Sequence, residues 1–412
     1  IMKIFTYRYL SIALVLTAFT SLALAPALAF SQTSNESPSD SLSMDASYNR
    51  PVNGGSGARV AIGGYLEANT FYSSEDGLSE GLSFQARRLT MFMSSKISNR
   101  IKFMSEIEFE EGGREIVIEF AAMDIELSPA FNLRGGIVMN PIGSFNQNHD
   151  GPNWEFIERP DMAVNMLPAT WSNAGFGIYG KMYSGDFIIG YEAYLTNGFN
   201  NSIIDNEESR TFLPAAKEDH ERFEESFNGR PLFTGKIAIK NRQIGELGFS
   251  YMGGVYNKYT DDGVDLDDER RCDVFAIDFS TTIKSTGTHI TAEAALIIVD
   301  IPETYTEQYG SEQHGAFMDI VQPVFRGKVL DWENSVFNVA ARIDYVDWNV
   351  GTFESMGTDI GDEVFAITPG LSFRPTNETV LRLNYRYQWQ EDILHNPAAL
   401  TATWMLGFST YF

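Results

Sequence analysis

The sequence predicts an all-β chain, a transmembrane antiparallel β-barrel of about sixteen strands. Three observations predict it. Segments of about ten residues alternate apolar and polar side chains along most of the chain. The connections between them alternate short and long. The last of these segments runs out to an aromatic residue, Phe412.

The N-terminus comes first. Lys3 and Arg8 precede an apolar stretch from about Tyr9 to Leu24, followed by Ala25-Pro26-Ala27-Leu28-Ala29. This is the pattern of a secretory signal peptide over 1–29, cleaved after Ala29. Residues 30–57 then turn rich in Ser, Asn, Asp, Pro and Gly, with Tyr48 the only aromatic after Phe30. Such a stretch carries too little apolar surface to offset its ordering entropy, so it reads as a disordered periplasmic lead-in.

The barrel is expected over 58–412. Ile101–Glu110 is its cleanest strand: Ile101, Phe103, Ile107 and Phe109 share one face, and Lys102, Glu106, Glu108 and Glu110 the other. Segment 233–240 sets Phe233, Ile237 and Ile239 against Lys236 and Lys240, and Phe275, Ile277 and Phe279 oppose Asp278. Segment 337–345 sets Phe337, Val339, Ile343 and Tyr345 against Asn338, Arg342 and Asp344. Segment 380–389 sets Leu381, Leu383, Tyr385, Tyr387 and Trp389 against Arg382, Asn384, Arg386 and Gln388. A soluble sandwich needs only scattered polar residues on its wet face. Charge recurring at mid-strand fits a wall with lipid outside and water inside. A phase change in 116–127, near Ala121 and Ala122, reads as a bulge.

Short connections at 97–100, 128–130, 184–186, 241–243, 284–287 and 375–378 carry turn residues. Long ones lie at 140–173, 196–230, 257–271, 301–314, 349–362 and 390–400. Two depart from the alternation: 111–114 is short where a long loop is due, and 327–334 is longish where a short turn is due. The closing strand, 402–412, has Trp404, Leu406 and Phe408 on the parity of Phe412, broken by Thr410. Trp404, Phe408 and Phe412 therefore read as lipid-facing and as a signal to the barrel assembly machinery.

Composition sets the exclusions. Of 412 residues 43% are hydrophobic, 13% aromatic and 35 are glycine, and no run of about 18 apolar residues follows the signal segment. Cys272 is the single cysteine, so no intramolecular disulfide exists. A net charge of -25 argues against nucleic acid. His149, His220, His289, His314 and His395 are scattered without metal-ligand spacing, so no metal or cofactor is expected. His289, at a turn, is the only strand-adjacent histidine in this reading, which speaks against an outward-facing Ser/His hydrolase. The acidic run 261–269 lacks the ligand order of an EF-hand and reads as a solvated loop.

Candidate pore-lining residues are Arg88, Lys102, Glu106, Glu108, Glu119, Arg134, Lys181, Lys236, Arg342, Asp344, Arg382 and Arg386. The arginines are either structural partners of the carboxylates or a basic strip facing an acidic one across the lumen; the strip is the favoured reading. In 140–173, Pro141, Pro152, Pro160 and Pro168 fix φ and Trp154 and Trp171 can pack, so the loop is expected to be ordered. Its candidate constriction residues are Pro141, His149, Asp150, Trp154, Glu158, Arg159 and Trp171.

Leu133-Arg134-Gly135-Gly136-Ile137-Val138-Met139-Asn140-Pro141-Ile142-Gly143 resembles the strand-to-loop segment of the phosphate- and pyrophosphate-selective porins (porins O and P), within a broader porin-like group. Glu158-Arg159-Pro160, Leu167-Pro168-Ala169-Thr170-Trp171, segment 342–349 and segment 368–375 are similar to the same group. The resemblance spans roughly residue 60 to the end. It implies an outer-membrane channel, an inward third loop over 140–173 that narrows it, and a homotrimer. Phosphate-selective members typically carry a lysine where this chain has Met139. The expectation is therefore a non-enzymatic porin in the outer membrane of a Gram-negative bacterium, passing small hydrophilic solutes or ions. Its selectivity is expected to be mildly cationic or near neutral. A phosphate- or anion-selective porin, and a non-conducting barrel that binds or assembles with a partner, are the alternatives.

Overall fold

A computed structural model of the chain describes residues 40–54, 59–208, 210–302, 310–353 and 356–412. The signal peptide expected over 1–29 and residues 30–39 of the lead-in lie outside the described residues. The barrel strands are β1 Val60–Glu75, β2 Leu78–Lys96, β3 Ile101–Glu110, β4 Glu115–Ser128, β5 Phe131–Met139, β6 Ser172–Ser184, β7 Phe187–Thr196, β8 Leu232–Asn241 and β9 Gly245–Val255. A two-stranded hairpin, β10 Thr260–Asp261 and β11 Val264–Asp265, stands apart. The wall resumes with β12 Arg271–Ile283, β13 Thr288–Val299, β14 Glu312–Val329, β15 Trp332–Asp347, β16 Glu363–Thr376, β17 Thr379–Gln390 and β18 Ala399–Tyr411. Sixteen strands close into one antiparallel barrel, β18 pairing with β1 from Tyr65↔Tyr411 to Glu75↔Thr401.

The alternation seen in the sequence becomes an inverted protein. Phe275, Ile277, Phe337, Val339, Leu381 and Leu383 point outward and are exposed, while Asp278, Asn338, Arg342, Arg382 and Asn384 point inward and are buried. A wall with its apolar face outside requires an apolar solvent there. The closing strand follows suit: Trp404, Leu406 and Phe412 are more than half exposed, and Phe408 lies on the same outer face.

Three expectations change in detail. The bulge of β4 falls at Glu119, where Glu106↔Phe120 is followed by Ile107↔Ile118, not at Ala121 and Ala122. This turns both Glu119 and Phe120 inward, and both are buried. The longish connection at 327–334 is a two-residue turn, Leu330 and Asp331, because β14 and β15 run on past Gly327. Leu330 takes up the turn in the left-handed region at φ 53°. His314 lies on β14 and His289 on β13, so histidine beside the wall is not confined to His289.

The lead-in also differs from expectation. Residues 40–54 are described and packed: Ser43–Tyr48 is a 3-10 helix, and Leu42, Met44 and Ser47 are buried. Composition underestimates order here because the partners lie in the wall and the loop, from Phe92 to Glu246, far along the chain.

Closure rests on close approach at the seam. The Phe412 amide donates to the Gly64 carbonyl at 3.0 Å. A Cβ on Gly64 would lie 2.1 Å from the Thr90 carbonyl oxygen and 2.7 Å from Phe412 Cζ. Gly64→Leu should therefore wedge β1 from β2 and displace the terminal ring. We expect the fast-migrating folded band on unboiled gels to be lost at a lower temperature than in wild type. Deletion of Phe412 should lower outer-membrane levels; unchanged levels would show that the residue is not used in assembly.

Candidate functional site

Alternation along each strand fixes which side chains point inward, and their positions in the register fix whom they meet. Arg342 on β15 faces Asp319 on β14 and binds it through two bonds of 2.6 and 2.7 Å. Arg134 on β5 binds Asp124 on β4 at 2.7 and 2.9 Å and reaches Tyr194 at 3.0 Å and Glu192 at 3.4 Å. Arg88 lies 2.9 Å from Glu108 and 2.7 Å from Glu110. Lys236 binds Asp278 at 2.6 Å, and Arg386 meets Asp344 at 3.2 Å. Lys102 pairs with Glu126 at 2.5 Å and remains half exposed. All these charges alternate locally, each cation beside its own carboxylate. Of the two readings of the arginines, the geometry matches structural partnership, not two separated strips.

The connection from β5 to β6 is tied shut at its neck. The Asn146 side chain donates to the carbonyls of Asn140 at 2.7 Å and Trp171 at 3.0 Å, and accepts from the Trp171 amide at 2.7 Å. Beyond the neck, the loop's polar atoms meet inward side chains of strands around the wall. Glu293 Oε2 on β13 accepts from the Ser144 amide (2.8 Å), the Ser144 hydroxyl (3.0 Å) and the Phe145 amide (3.0 Å). Gly143, at φ 65°, must be glycine, since a Cβ there would meet Glu293 Oε1 at 1.9 Å. Lys236 donates to the Gly143 carbonyl at 2.7 Å, and Arg342 to that of Glu158 at 2.6 Å. Arg382 donates to the carbonyls of Gly151 (3.2 Å) and Phe156 (2.8 Å). Tyr411 on β18 donates to Asp150 at 2.8 Å, and Thr170 bonds Glu119 on β4.

The loop's other side is apolar. Ile142, Phe145, Met162, Met166 and Trp171 join Val274, Ile297 and Phe317 of β12, β13 and β14 in one buried cluster. The sequence marks this: 294–299 reads Ala-Ala-Leu-Ile-Ile-Val, apolar on both parities, which a strand needs only when its inner face also meets an apolar partner. Trp154 packs at 4.9 Å from Phe145, and Pro141 is buried.

Charged loop residues find partners too. Glu158 takes two bonds from Arg87, at 2.8 and 3.1 Å, and that guanidinium helps hold its carboxyl below the ordinary carboxylate range against the effect of burial. Asp161 bonds Arg386; burial pushes its carboxyl up, to about 6. Arg159 makes no ion pair among the described residues, and its Nη2 is buried without a partner. His149 is buried 3.4 Å from Glu106; burial, then the neighbouring Arg50 guanidinium, pushes its imidazole down to about 3.

Glu106, His149 and Asp150 bring ligand atoms within 4.8 Å of one another, a grouping that sequence spacing did not show. The residue that fills it is Arg50, whose Nη2 lies 2.7 Å from Asp150 and 3.0 Å from His149 and whose Nη1 bonds Glu106. A guanidinium already holds the cation position there. Arg50, Tyr48, Asp319, Glu293 and Glu67, which lies on β1 at 3.6 Å from Arg382, all escaped the sequence reading; the last three were detectable from strand parity, the first two were not. Lys181 pairs with Asp45 at 2.7 Å. His289 meets the hydroxyls of Thr282 at 3.0 Å and Thr291 at 3.1 Å. The acidic run forms the exposed β10–β11 hairpin, flanked by Lys258–Asp261, Arg270–Asp267 and Arg230–Glu269 ion pairs.

No family model matches the chain. An uncharacterized protein of Aquifex aeolicus (strain VF5) is 27% identical over 366 residues, covering 84% of this chain and 80% of that protein. Three solved structures share the architecture. The anion-selective porin from Comamonas acidovorans has a TM-score of 0.52 at 12% identity, over 86% of this chain and 99% of that one. Salmonella typhi OmpF in complex with daunomycin gives 0.52 at 9%, over 86% and 97%. The outer membrane channel DcaP of Acinetobacter baumannii gives 0.51 at 12%, over 87% and 99%. At these identities the likeness is one of fold. This chain is a closed, sixteen-strand antiparallel barrel, and its fold is similar to that of these outer-membrane porins and channels.

Two predictions follow from the buried pairs. Arg342→Ala leaves Asp319 charged and unpartnered, and should cost about 3–5 kcal/mol in urea unfolding of the refolded barrel. The double variant Arg342→Met with Asp319→Leu should recover most of that loss. His149 stays neutral in the fold and protonates near 6.5 when unfolded, so the unfolded chain binds the extra proton as pH falls. Stability present above pH 6.5 should decline towards pH 3, by about 2 kcal/mol at pH 5 from this residue. His149→Gln should flatten that slope.

Proposed function

We propose that the chain forms a water-filled outer-membrane channel for passive diffusion of small hydrophilic solutes or ions. It would be exported by segment 1–29 and inserted by the barrel assembly machinery into the outer membrane of a Gram-negative bacterium, as a homotrimer. The observation that carries this reading is the inverted wall: apolar side chains outside, ionised ones inside, on a ring of sixteen strands. A ring that wide holds more than side chains alone can fill. Loop 140–171 is the constriction on this reading, because its neck is closed and its bonds reach inward side chains around the ring.

Selectivity follows from how the charge is arranged. Paired cations and carboxylates largely cancel at a distance, and exposed loop carboxylates farther than about 8 Å from the path are screened at physiological salt. Mild cation preference or near neutrality is the expected result. The phosphate- or anion-selective alternative takes support from the motif at 133–143. Against it, Met139 stands where phosphate-selective porins typically carry lysine, and most inward arginines are already engaged by carboxylates. A non-conducting barrel that binds or assembles with a partner is the second alternative.

Planar-bilayer recording separates the three. Discrete conductance steps with a reversal potential near zero or slightly cationic under a potassium chloride gradient are expected. Strong anion preference with block by inorganic phosphate would restore the anion role, and absence of steps would leave the partner-binding barrel. Excising 147–166 should raise the step size; an unchanged step would rule the loop out as the constriction.

A further inference from the structure

Residues 40–54 have no place in the channel reading so far, yet they lie along the inner wall. Leu42 and Met44 pack against Ile188 of β7 and Ala238 of β8. Gly190 leaves the room for them: a Cβ there would lie 2.2 Å from Leu42 Cδ1. The Tyr48 ring sits 3.3 Å from the Arg134 guanidinium and meets Phe120 edge-on at 5.5 Å. Ser47 donates to the Gln147 carbonyl of the constriction loop at 2.6 Å. Arg50 lies over Phe92 at 4.5 Å and ends in the cage of Glu106, His149 and Asp150.

The way this segment is held is unlike the wall. Its backbone-to-backbone pairing with a strand, among the described residues, is the single bridge between Asn53 and Ile62. Residues 40–52 are held by contacts in which at least one partner is a side chain, so they can leave without breaking a strand ladder. Asp45 pairs with Lys181 at 2.7 Å and Asp40 with Arg242 at 2.9 Å, both partly exposed, whereas the ion pairs of Arg50 are buried. Two buried carboxylates face its guanidinium, and each is left without a countercharge in the cage if it withdraws. One side of the cage, Glu106, belongs to β3; the other, His149 and Asp150, belongs to the loop. Arg50 therefore joins wall, segment and loop at one point.

We propose that 40–54 is a releasable strap that narrows the channel from within, an autoinhibitory contact latched by Arg50. The proposal rests on the channel reading, since a strap can only restrict a path that exists. Its chemistry makes a specific demand. The cage recognises a planar, multiply donating monocation, so free guanidinium should replace the Arg50 head group where lysine cannot reproduce its paired bonds.

The test uses the full-length barrel refolded in detergent, with two readouts on wild type, Arg50→Lys and Arg50→Ala. Hydrogen exchange read by mass spectrometry over 40–50 reports the strap; bilayer conductance reports the path. Arg50→Ala should speed exchange in the strap and enlarge the single-channel step about twofold or more. Millimolar guanidinium chloride should reverse both, and Arg50→Lys should fall between. If Arg50→Ala fails to give the folded band on unboiled gels, Arg50→Met with Glu106→Gln removes one charge of each sign and carries the same test. Unchanged strap exchange in the folded variant overturns the latch. Fast exchange with the wild-type step overturns the narrowing role. Silence from wild type and variants alike would instead sink the channel reading, and the narrowing role with it, while the exchange measurement still decides the latch.

Discussion

The pairing of β18 with β1 is the constraint on which everything else depends. A bilayer offers no hydrogen-bond partner to an open strand edge, so a wall of strands can only sit there as a ring. Closure also defines an inside. Before the seam forms, the two faces of each strand are merely different; afterwards one points outward and the other is enclosed with whatever the chain sends there. The tolerances at the seam are correspondingly tight. Gly64 lets both Thr90 and Phe412 approach closely, and a Cβ there would collide with each.

Enclosure changes the energetics of the inward charges. In a wide, wet lumen Arg342 or Glu106 would be solvated and their arrangement free to serve selectivity. Here loop 140–171 and segment 40–54 lie against them and exclude water, and each is at most 1% exposed. Charges deprived of water must be paired, and the nearest partner is one strand away. That explains the interleaving of Arg342 with Asp319 and Arg134 with Asp124. The same residues would form opposed strips only if the interior were emptier. Pairing here is a consequence of filling.

The loop is held by two unlike surfaces, and both are needed. Its apolar side seals onto β12–β14, where Val274, Ile297 and Phe317 turn inward. Its backbone carbonyls take bonds from Lys236, Arg342 and Arg382, which thereby serve the loop as well as the wall. The first surface supplies adhesion without direction; the second supplies position. A loop anchored only by the first could slide, and one anchored only by the second would strand apolar side chains in water.

How much of this was legible beforehand depends on the range of the interaction involved. Period-two alternation is local, so strand faces, most turns and the outward Trp404, Phe408 and Phe412 could be read from the sequence alone. So could the inward direction of Arg342, Arg382, Lys236 and Glu108. The β4 bulge could be placed only within a few residues, because Glu119 and Phe120 both turn inward and the partner strand decides which is extra. Who pairs with whom required the ring: Glu293 meets Ser144 across 149 positions, and Arg382 meets Phe156 across 226. Segment 40–54 shows the limit most clearly. Its composition describes a chain in water, where it would stay unordered, but Leu42, Tyr48 and Arg50 are placed in a cavity whose walls come from β2–β8 and the loop. Local pattern determined which face of each strand is which; only the closed barrel decided what those faces enclose.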